Sequence, residues 1–595
     1  MGIGNRMTIF EAFSQSALKH SDKTALMYRK QGKYVGISYE ELMDSVGAVS
    51  KGIMRLGIGK GDKVGIFSYN RPEWVIADLA VLKIGGIVVP IYHTLPSSHV
   101  KDIINDSNTK LLFVENVPLL GLAKGIKDEC PTLKNVVVFE SSKPIAEHGI
   151  LHFDSLRQEE WRPAASEEAS CVSPDDTATI VYTSGSTGDP KGVILTHKNI
   201  TSNAFSVKRK FGVTSEDVFL SFLPLCHMFE RTCAYYATLF AGATIAYVKD
   251  ISTVADDIRE IRPTIFITVP RLIEKIYESV EKRVSESLFI RRGFVRLAVK
   301  RLNRYANLEH RGVRIPLFLK IRRPLYDVLV ASKFRRITGG RLRALACGGA
   351  PLDRKISKLL YILGFNIVEG YGLTEASPVV CSNTVEENEL GTVGKPLDGV
   401  EVKIGENDEI LVRGPNVMAG YFNMPAETAK AIDKDGWLRT GDQGRFDEKG
   451  NLTITGRIKE IIVTSYGKNI VPAPIEMEIA RNRYIDQIML CGDRRKYIAA
   501  LIVPCKESVV SYAENRGILF DEYQSLLQRD EIKDLIASEI EKSSFELAPY
   551  EKIKAFTLLA EPFTVEDEML TPILKLRRTK IASKYSELID QMYEG

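Results

Sequence analysis

No stretch of this 595-residue chain is apolar for long enough to cross a bilayer. The longest apolar runs, such as Ile84 to Tyr92, reach about half of the roughly 20 residues that a spanning helix needs. Tryptophan is scarce, and the eight cysteines, at 130, 171, 226, 233, 347, 381, 491 and 505, never form CxxC or another metal-ligand spacing. That scatter reads as the reduced thiols of a cytosolic protein and argues against structural zinc or a disulfide scaffold. A charge excess of one sign is also missing. With 80 Lys+Arg against 76 Asp+Glu the net charge is +4, too small over this length to expect nucleic acid as a partner. No apolar signal core follows Met1, and Arg6 stands where a myristoylation motif needs Ser or Thr, so neither export nor a lipid anchor is expected.

What is present is an ordinary globular composition, 44% hydrophobic and 26% charged, on a chain long enough for more than one core. From Ile9 to Val269, helical patterns alternate with short β-branched runs at Lys63 to Ser68, Ile87 to Ile91, Lys110 to Val114, Asn135 to Phe139, Thr177 to Tyr182, Thr244 to Tyr247 and Thr264 to Val269. This rhythm predicts an α/β fold with buried, largely parallel sheets. Residues 281–343 break it, with eighteen Lys or Arg against four Asp or Glu among apolar residues. Helical spacing gives that stretch an apolar and a cationic face. It either lies on anionic lipid or packs as a helical excursion with solvated charges, and the pattern is compatible with both. Strand-like runs follow at Val400 to Ile404, Glu409 to Val412 and Asn451 to Thr455, the last in a hairpin closed by Asp447 to Gly450. The expected division is 1–457, a large α/β unit with a β-rich subdomain, and 458–595, a small α+β unit.

The sharpest motif is Tyr182-Thr-Ser-Gly-Ser-Thr-Gly-Asp-Pro-Lys-Gly192, directly after a predicted strand. Its glycines allow a tight turn with inward N–H groups, its hydroxyls add donors, and Lys191 adds a mobile cation, a combination suited to a polyphosphate. The GxxxxGK[ST] spacing of a Walker A loop is absent, which counts against a P-loop NTPase. Asp442, after a glycine in an expected turn, is a carboxylate able to accept ribose hydroxyls. Glu375 can hold Mg²⁺ and Thr374 can donate to a phosphate, although either residue alone also suits a helix start. Tyr371 offers a ring for stacking, and a lone His227 reads first as a core histidine.

These motifs, in this order, resemble the adenylate-forming enzymes, the superfamily of acyl-CoA synthetases, luciferases and peptide-synthetase adenylation domains. The resemblance rests on the loop and on Pro224-Leu-Cys-His-Met-Phe-Glu-Arg231, Gly348-Gly-Ala-Pro-Leu352, Gly370-Tyr-Gly-Leu-Thr-Glu375, Trp437-Leu-Arg-Thr-Gly-Asp442, Gly456-Arg-Ile-Lys459, Gly467-Lys-Asn-Ile470 and Pro572-Ile-Leu-Lys-Leu-Arg-Arg578. Length, the His-Met-Phe-Glu-Arg run, the basic stretch and the ending resemble long-chain fatty acid CoA ligases in particular. The resemblance implies a mobile C-terminal domain that carries a catalytic lysine, Lys575. It implies His227 at the acyl–phosphate junction, with Thr374 and Glu375 beside the phosphates and Mg²⁺. Thr183, Ser184, Gly185, Ser186, Thr187, Gly188 and Lys191 would form the phosphate loop. Gly349, Ala350, Pro351, Tyr371 and Gly372 would hold adenine, Asp442 and Arg457 the ribose, and Lys459 would be the hinge. Asp189 and His93 depart from the family pattern, and neither carries a role in this assignment.

The implied reaction converts a long-chain fatty acid and ATP to an acyl-adenylate and pyrophosphate, then passes the acyl group to coenzyme A. Two other outcomes stay open: transfer to an acyl-carrier protein, and a shorter or non-fatty acid as substrate. A non-catalytic binder would be expected to lose Lys191, Glu375, Asp442 or Lys575, and all four are present. The expected location is cytoplasmic, with peripheral contact to the cytoplasmic membrane face through 281–343 and a homodimer both left open.

Overall fold

The computed structural model describes residues 6–141, 148–157, 172–184, 190–248, 253–270, 332–466, 468–545, 547–565, 567–571 and 575–594, with isolated positions between 272 and 324. The basic stretch up to residue 331, apart from those positions, lies outside the described residues, and so do Gly185 to Asp189, Gly467 and Pro572 to Leu574.

Two large sheets carry the first 450 or so residues. In the eight-stranded sheet, Thr177–Ser184, Ile87–Ile91, Lys63–Phe67, Leu111–Val114, Asn135–Val138 and Ile150–His152 run parallel in that spatial order. Pro190–Thr196 and Gly420–Tyr421 add an antiparallel edge. In the nine-stranded sheet, Ile367–Gly372, Ala344–Cys347, Ile265–Thr268, Val218–Ser221, Thr244–Tyr247 and Thr24–Lys30 are parallel, with antiparallel strands at both edges. The predicted strands are present to within one to three residues. Strands that the pattern does not announce include Thr24–Lys30, Lys33–Ser38, Pro190–Thr196 and Val218–Ser221.

Polar residues at the helix starts fix several of the intervening helices. Thr8 with Glu11 and Ser38 with Glu41 form capping boxes, while Thr196 caps His197–Lys210 by accepting the Asn199 N–H. Most buried apolar side chains between Ile9 and Leu452 form one large cluster, and a second cluster, including Phe67, Val89, Leu112, Val136 and Ile180, packs on the eight-stranded sheet. A four-stranded antiparallel sheet, Glu401–Ile404, Glu409–Arg413, Leu438–Phe446 and Leu452–Arg457, closes this part of the chain.

Beyond residue 460, separate buried clusters pack on the two faces of a three-stranded sheet, Ile485–Cys491, Ile498–Pro504 and Ile553–Leu558. All seven residues of Ile498–Pro504 are buried, as a central strand covered on both faces requires. A contact of His99 Nε2 with Glu568 at 3.1 Å joins this part to the rest, as do ion pairs of Lys355 with Glu478 at 3.2 Å and of Arg481 with Asp353. No helix among the described residues is long and apolar enough to cross a membrane.

Candidate active site

The strand order reverses at Val218–Ser221, whose neighbours Thr244–Tyr247 and Ile265–Thr268 lie on opposite sides. In open parallel sheets, ligands settle at the carboxyl ends of strands at such a switch point. The motifs cluster there. The His227 segment follows Val218–Ser221, the Gly348 to Pro351 loop follows Ala344–Cys347, and Tyr371 and Gly372 end Ile367–Gly372. Gly349 sits at φ +84°, and a Cβ on Gly372 would come within 1.9 Å of the Pro378 carbonyl oxygen, so neither turn accepts a side chain freely. Gly349, Ala350 and Pro351 form an exposed loop, while Thr374 and Glu375 lie in the 3₁₀ turn Thr374–Ala376.

The described ends of the phosphate-loop motif lie on two antiparallel strands. Thr177–Ser184 pairs with Pro190–Thr196, and Thr183 faces Lys191 across the ladder. The Ser184 side chain and Gly185, Ser186, Thr187 and Gly188 lie outside the described residues. Lys191 Nζ meets Glu427 Oε2 at 2.5 Å and lies 5.3 Å from the Tyr421 ring centroid. The Tyr421 hydroxyl donates to Glu375 Oε1 at 3.0 Å. One tyrosine therefore joins the candidate phosphate lysine to the candidate metal carboxylate. The sequence pattern singles out neither Tyr421 nor Glu427, because the two-residue strand Gly420–Tyr421 pairs with Ile194 and Val193 from far away in the chain.

Asp442 does not occupy the expected turn. Although Gly441 before it has φ +71°, Asp442 sits inside the strand Leu438–Phe446, paired with Arg457, because the ladder with Leu452–Arg457 continues through it. It is 4% exposed, accepts the Tyr371 hydroxyl at 2.7 Å and meets Arg457 Nε at 2.9 Å. A carboxylate has about four lone-pair sites, so this one keeps acceptor capacity for hydroxyls. Lys459 is exposed and lies in the short turn Ile458–Glu460, immediately beyond.

Lys575 reaches the same place from the end of the chain. Its N–H donates to Thr571 Oγ1 at 3.0 Å and its carbonyl accepts the Thr571 N–H at 2.7 Å. Burial, then the nearby Arg457 charge, pushes the Lys575 ammonium down to about 8 against the pull of Asp442 and Glu460. Burial likewise pushes the His227 imidazole down to about 4, and the Lys575 charge adds to the effect. Lys575 thus shares one electrostatic neighbourhood with the Asp442 cluster and with His227.

His227 starts a turn that leads into a π-helical segment, Glu230–Tyr236, a distortion often found at functional sites. Its Nε2 is buried with no hydrogen-bond partner among the described residues. Tyr92 packs edge-on at 5.5 Å, and His93 stacks on Tyr92 at 5.2 Å. His93, which carries no role in the sequence reading, is therefore one ring away from His227. One helical turn on, Arg231 is fully buried and pairs with Asp78, while Tyr236 accepts from it at 3.0 Å and Thr179 at 2.9 Å. Thr179 lies on the strand that leads to the phosphate loop, so this network ties the His227 turn to that strand.

Beside Phe229 and Cys233 opens a cleft. Its wall is mostly apolar, with Val207, Phe211, Phe219, Ile265 and Ile267, and its other side is formed by Gly348, Gly349, Tyr371 and Gly372. An apolar chamber therefore adjoins the adenine-side motifs.

The sequence profile of the AMP-binding enzymes matches residues 13–422, and that of the AMP-binding enzyme C-terminal domain matches 459–595. Similar curated proteins include the long-chain-fatty-acid–CoA ligase FadD15 of Mycobacterium bovis, 32% identical over 97% of this chain and 95% of that protein. Human long-chain-fatty-acid–CoA ligase 1 is 30% identical over 98% of this chain and 86% of its own. Among solved structures, the anthranilate CoA ligase AuaEII in complex with anthranoyl-AMP superposes with a TM-score of 0.74 at 18% identity, covering 98% of both chains. The adenylation domain of the Segniliparus rugosus carboxylic acid reductase, in complex with AMP and a carboxylic acid, gives 0.76 at 20% identity over 99% of this chain and 94% of that one.

Proposed function

The chain belongs to the AMP-binding enzymes, and from that premise we propose that it is an AMP-forming long-chain fatty acid CoA ligase, which activates its acid with ATP and transfers the acyl group to coenzyme A. The observation that carries this reading is Lys575, brought from the last residues of the chain beside the Asp442–Tyr371–Arg457 cluster and His227, with Tyr371 also lining the apolar cleft. The full-length similarity to two long-chain fatty acid ligases supports the substrate class.

A carboxylate cannot expel oxide, so it must be activated before a thiol can displace anything from it. The fatty acid tail occupies the apolar cleft, and its carboxylate lies toward His227 and Lys575. Asp442 and Arg457 hold the ribose, and Tyr371 and the Gly349, Ala350, Pro351 loop hold adenine. Thr183, Lys191 and the motif residues between them take the β- and γ-phosphates. The carboxylate oxygen attacks the α-phosphorus in line and pyrophosphate leaves. Lys575 follows the charge that develops on the transferring oxygens, as a point charge on a flexible stem can.

Glu375 fits a Mg²⁺ role. It is partly exposed, accepts a hydrogen bond from the neutral Tyr421 hydroxyl and forms no ion pair among the described residues, which leaves oxygen lone pairs for a cation. Glu375 would hold the ion with the substrate phosphates, where it would neutralise pyrophosphate charge. In the second half-reaction, the 458–595 unit turns about Lys459 and withdraws Lys575. The thiol of coenzyme A then attacks the acyl carbonyl and AMP leaves.

The test is to incubate the purified chain with Mg-ATP and palmitate, with and without coenzyme A, and to quantify AMP, pyrophosphate and palmitoyl-CoA. Turnover to thioester that needs every component supports the reading. Turnover that proceeds without a fatty acid, or that yields ADP, contradicts it.

A further inference from the structure

Lys191 does not point into open space. Its side chain is 18% exposed, and its ammonium is held at 2.5 Å by Glu427 Oε2 over the Tyr421 ring. Glu427 stands in the first turn of the helix Pro425–Ala431, which the strand Gly420–Tyr421 anchors to the Lys191 strand. The Phe422 N–H donating to the Gly192 carbonyl at 2.7 Å, and the Tyr421 N–H donating to Thr428 Oγ1 at 2.8 Å, fix that anchor. The two charges meet because the backbone brings them together. The second oxygen of Glu427 accepts from Lys430 Nζ at 2.7 Å, and Lys430 is 74% exposed.

An anionic oxygen on a phosphate-binding lysine occupies the place that a phosphate oxygen needs. We propose that Glu427 is a built-in competitor for the substrate phosphates: it holds Lys191 until ATP displaces it and recaptures the lysine as pyrophosphate leaves. This rests on the reading of Lys191 as a phosphate ligand. Lys430 makes the exchange inexpensive, since Glu427 keeps one cationic partner and solvent contact after releasing Lys191. With Lys191 bound, that lysine and then Lys430 push Glu427 down to about 2. Glu427 then weakens ATP and pyrophosphate binding alike, and weaker pyrophosphate binding favours the forward reaction by hastening release of the first product.

The experiment measures Mg-ATP affinity by titration calorimetry without fatty acid, and pyrophosphate inhibition of adenylation, in the full chain. The proteins are wild type, Glu427→Gln, Lys191→Met and the double variant, with Glu427→Ala as a second replacement. A partly exposed ion pair of this kind predicts about three- to tenfold tighter ATP binding in both Glu427 variants. Pyrophosphate inhibits at correspondingly lower concentration, and KM for ATP falls while kcat for adenylation is little changed. In the Lys191→Met background the Glu427 change has no effect. Weaker or unchanged ATP binding in Glu427→Gln overturns the proposal, and so does equal tightening with Lys191 absent, which reveals only a long-range charge effect. If Lys191→Met binds ATP as wild type does, the phosphate-ligand reading itself fails, an outcome distinct from the other two.

Discussion

Removing the carboxylate at Asp78 tests whether the buried network behind His227 is held by its ion pair. Arg231 is fully buried, and burial works against its charge, but Asp78 and the Tyr236 and Tyr235 hydroxyls outweigh that and hold the guanidinium protonated. Asp78 accepts from Arg231 and from the Tyr235 and Tyr236 hydroxyls, at 2.9 and 2.8 Å. Asp78→Ala leaves a buried cation with only neutral hydroxyls, a loss of about 3–5 kcal/mol. Removing both charges with Asp78→Leu and Arg231→Met leaves no unpaired ion. It still strips two tyrosine hydroxyls of an acceptor at about 1 kcal/mol each, so the double variant falls only about 2 kcal/mol below wild type. The assay is guanidinium unfolding followed by tryptophan emission, since the Trp74 ring lies 5.3 Å from the Arg231 guanidinium. Because Arg231 also contacts Thr179 near the phosphate loop, the single variant loses adenylation as well. An Asp78→Ala protein as stable as the double variant refutes the reasoning.

The lowered pKa of Lys575 gives a sign for pH dependence: a lysine that must be charged loses its proton as pH rises through about 8. The adenylation kcat/KM for ATP should therefore fall about tenfold per pH unit above that point, with the break absent in the weakly active Lys575→Ala variant. Asp442→Asn loosens both Tyr371 and Arg457 and raises KM for ATP by about 10–100-fold, read from initial rates against ATP concentration. Gly372→Ala drives a Cβ to 1.9 Å from a backbone oxygen and lowers stability by about 3 kcal/mol or more, measured as a fall in the thermal midpoint.

The α/β class and most parallel strands were legible because buried strands announce themselves as β-branched runs between helices. Thr177–Ser184 and Ile265–Thr268 are examples. Strands such as Leu438–Phe446 were not, because Arg439, Gly441 and Asp442 interrupt the apolar alternation and only pairing with Leu452–Arg457 holds them extended. At the site, the chemistry of Tyr371, Thr374 and Glu375 could be read from the residues themselves, whereas Gly348 to Pro351 was assigned only through the family resemblance. Partners set by the tertiary fold could be read from neither. Glu427 on Lys191, Tyr421 on Glu375 and Asp78 on Arg231 join positions 236, 46 and 153 residues apart, and no local pattern encodes such a pairing.

The central claim is that Lys575, delivered by the end of the chain, makes an acyl-adenylate. The most direct measurement is palmitate-dependent exchange of labelled pyrophosphate into ATP without coenzyme A, in wild type and in Lys575→Ala. The account predicts exchange in the wild type that needs palmitate, and a loss of at least about a hundredfold in the variant with ATP binding retained. Equal exchange in the two proteins, or exchange indifferent to palmitate, contradicts it.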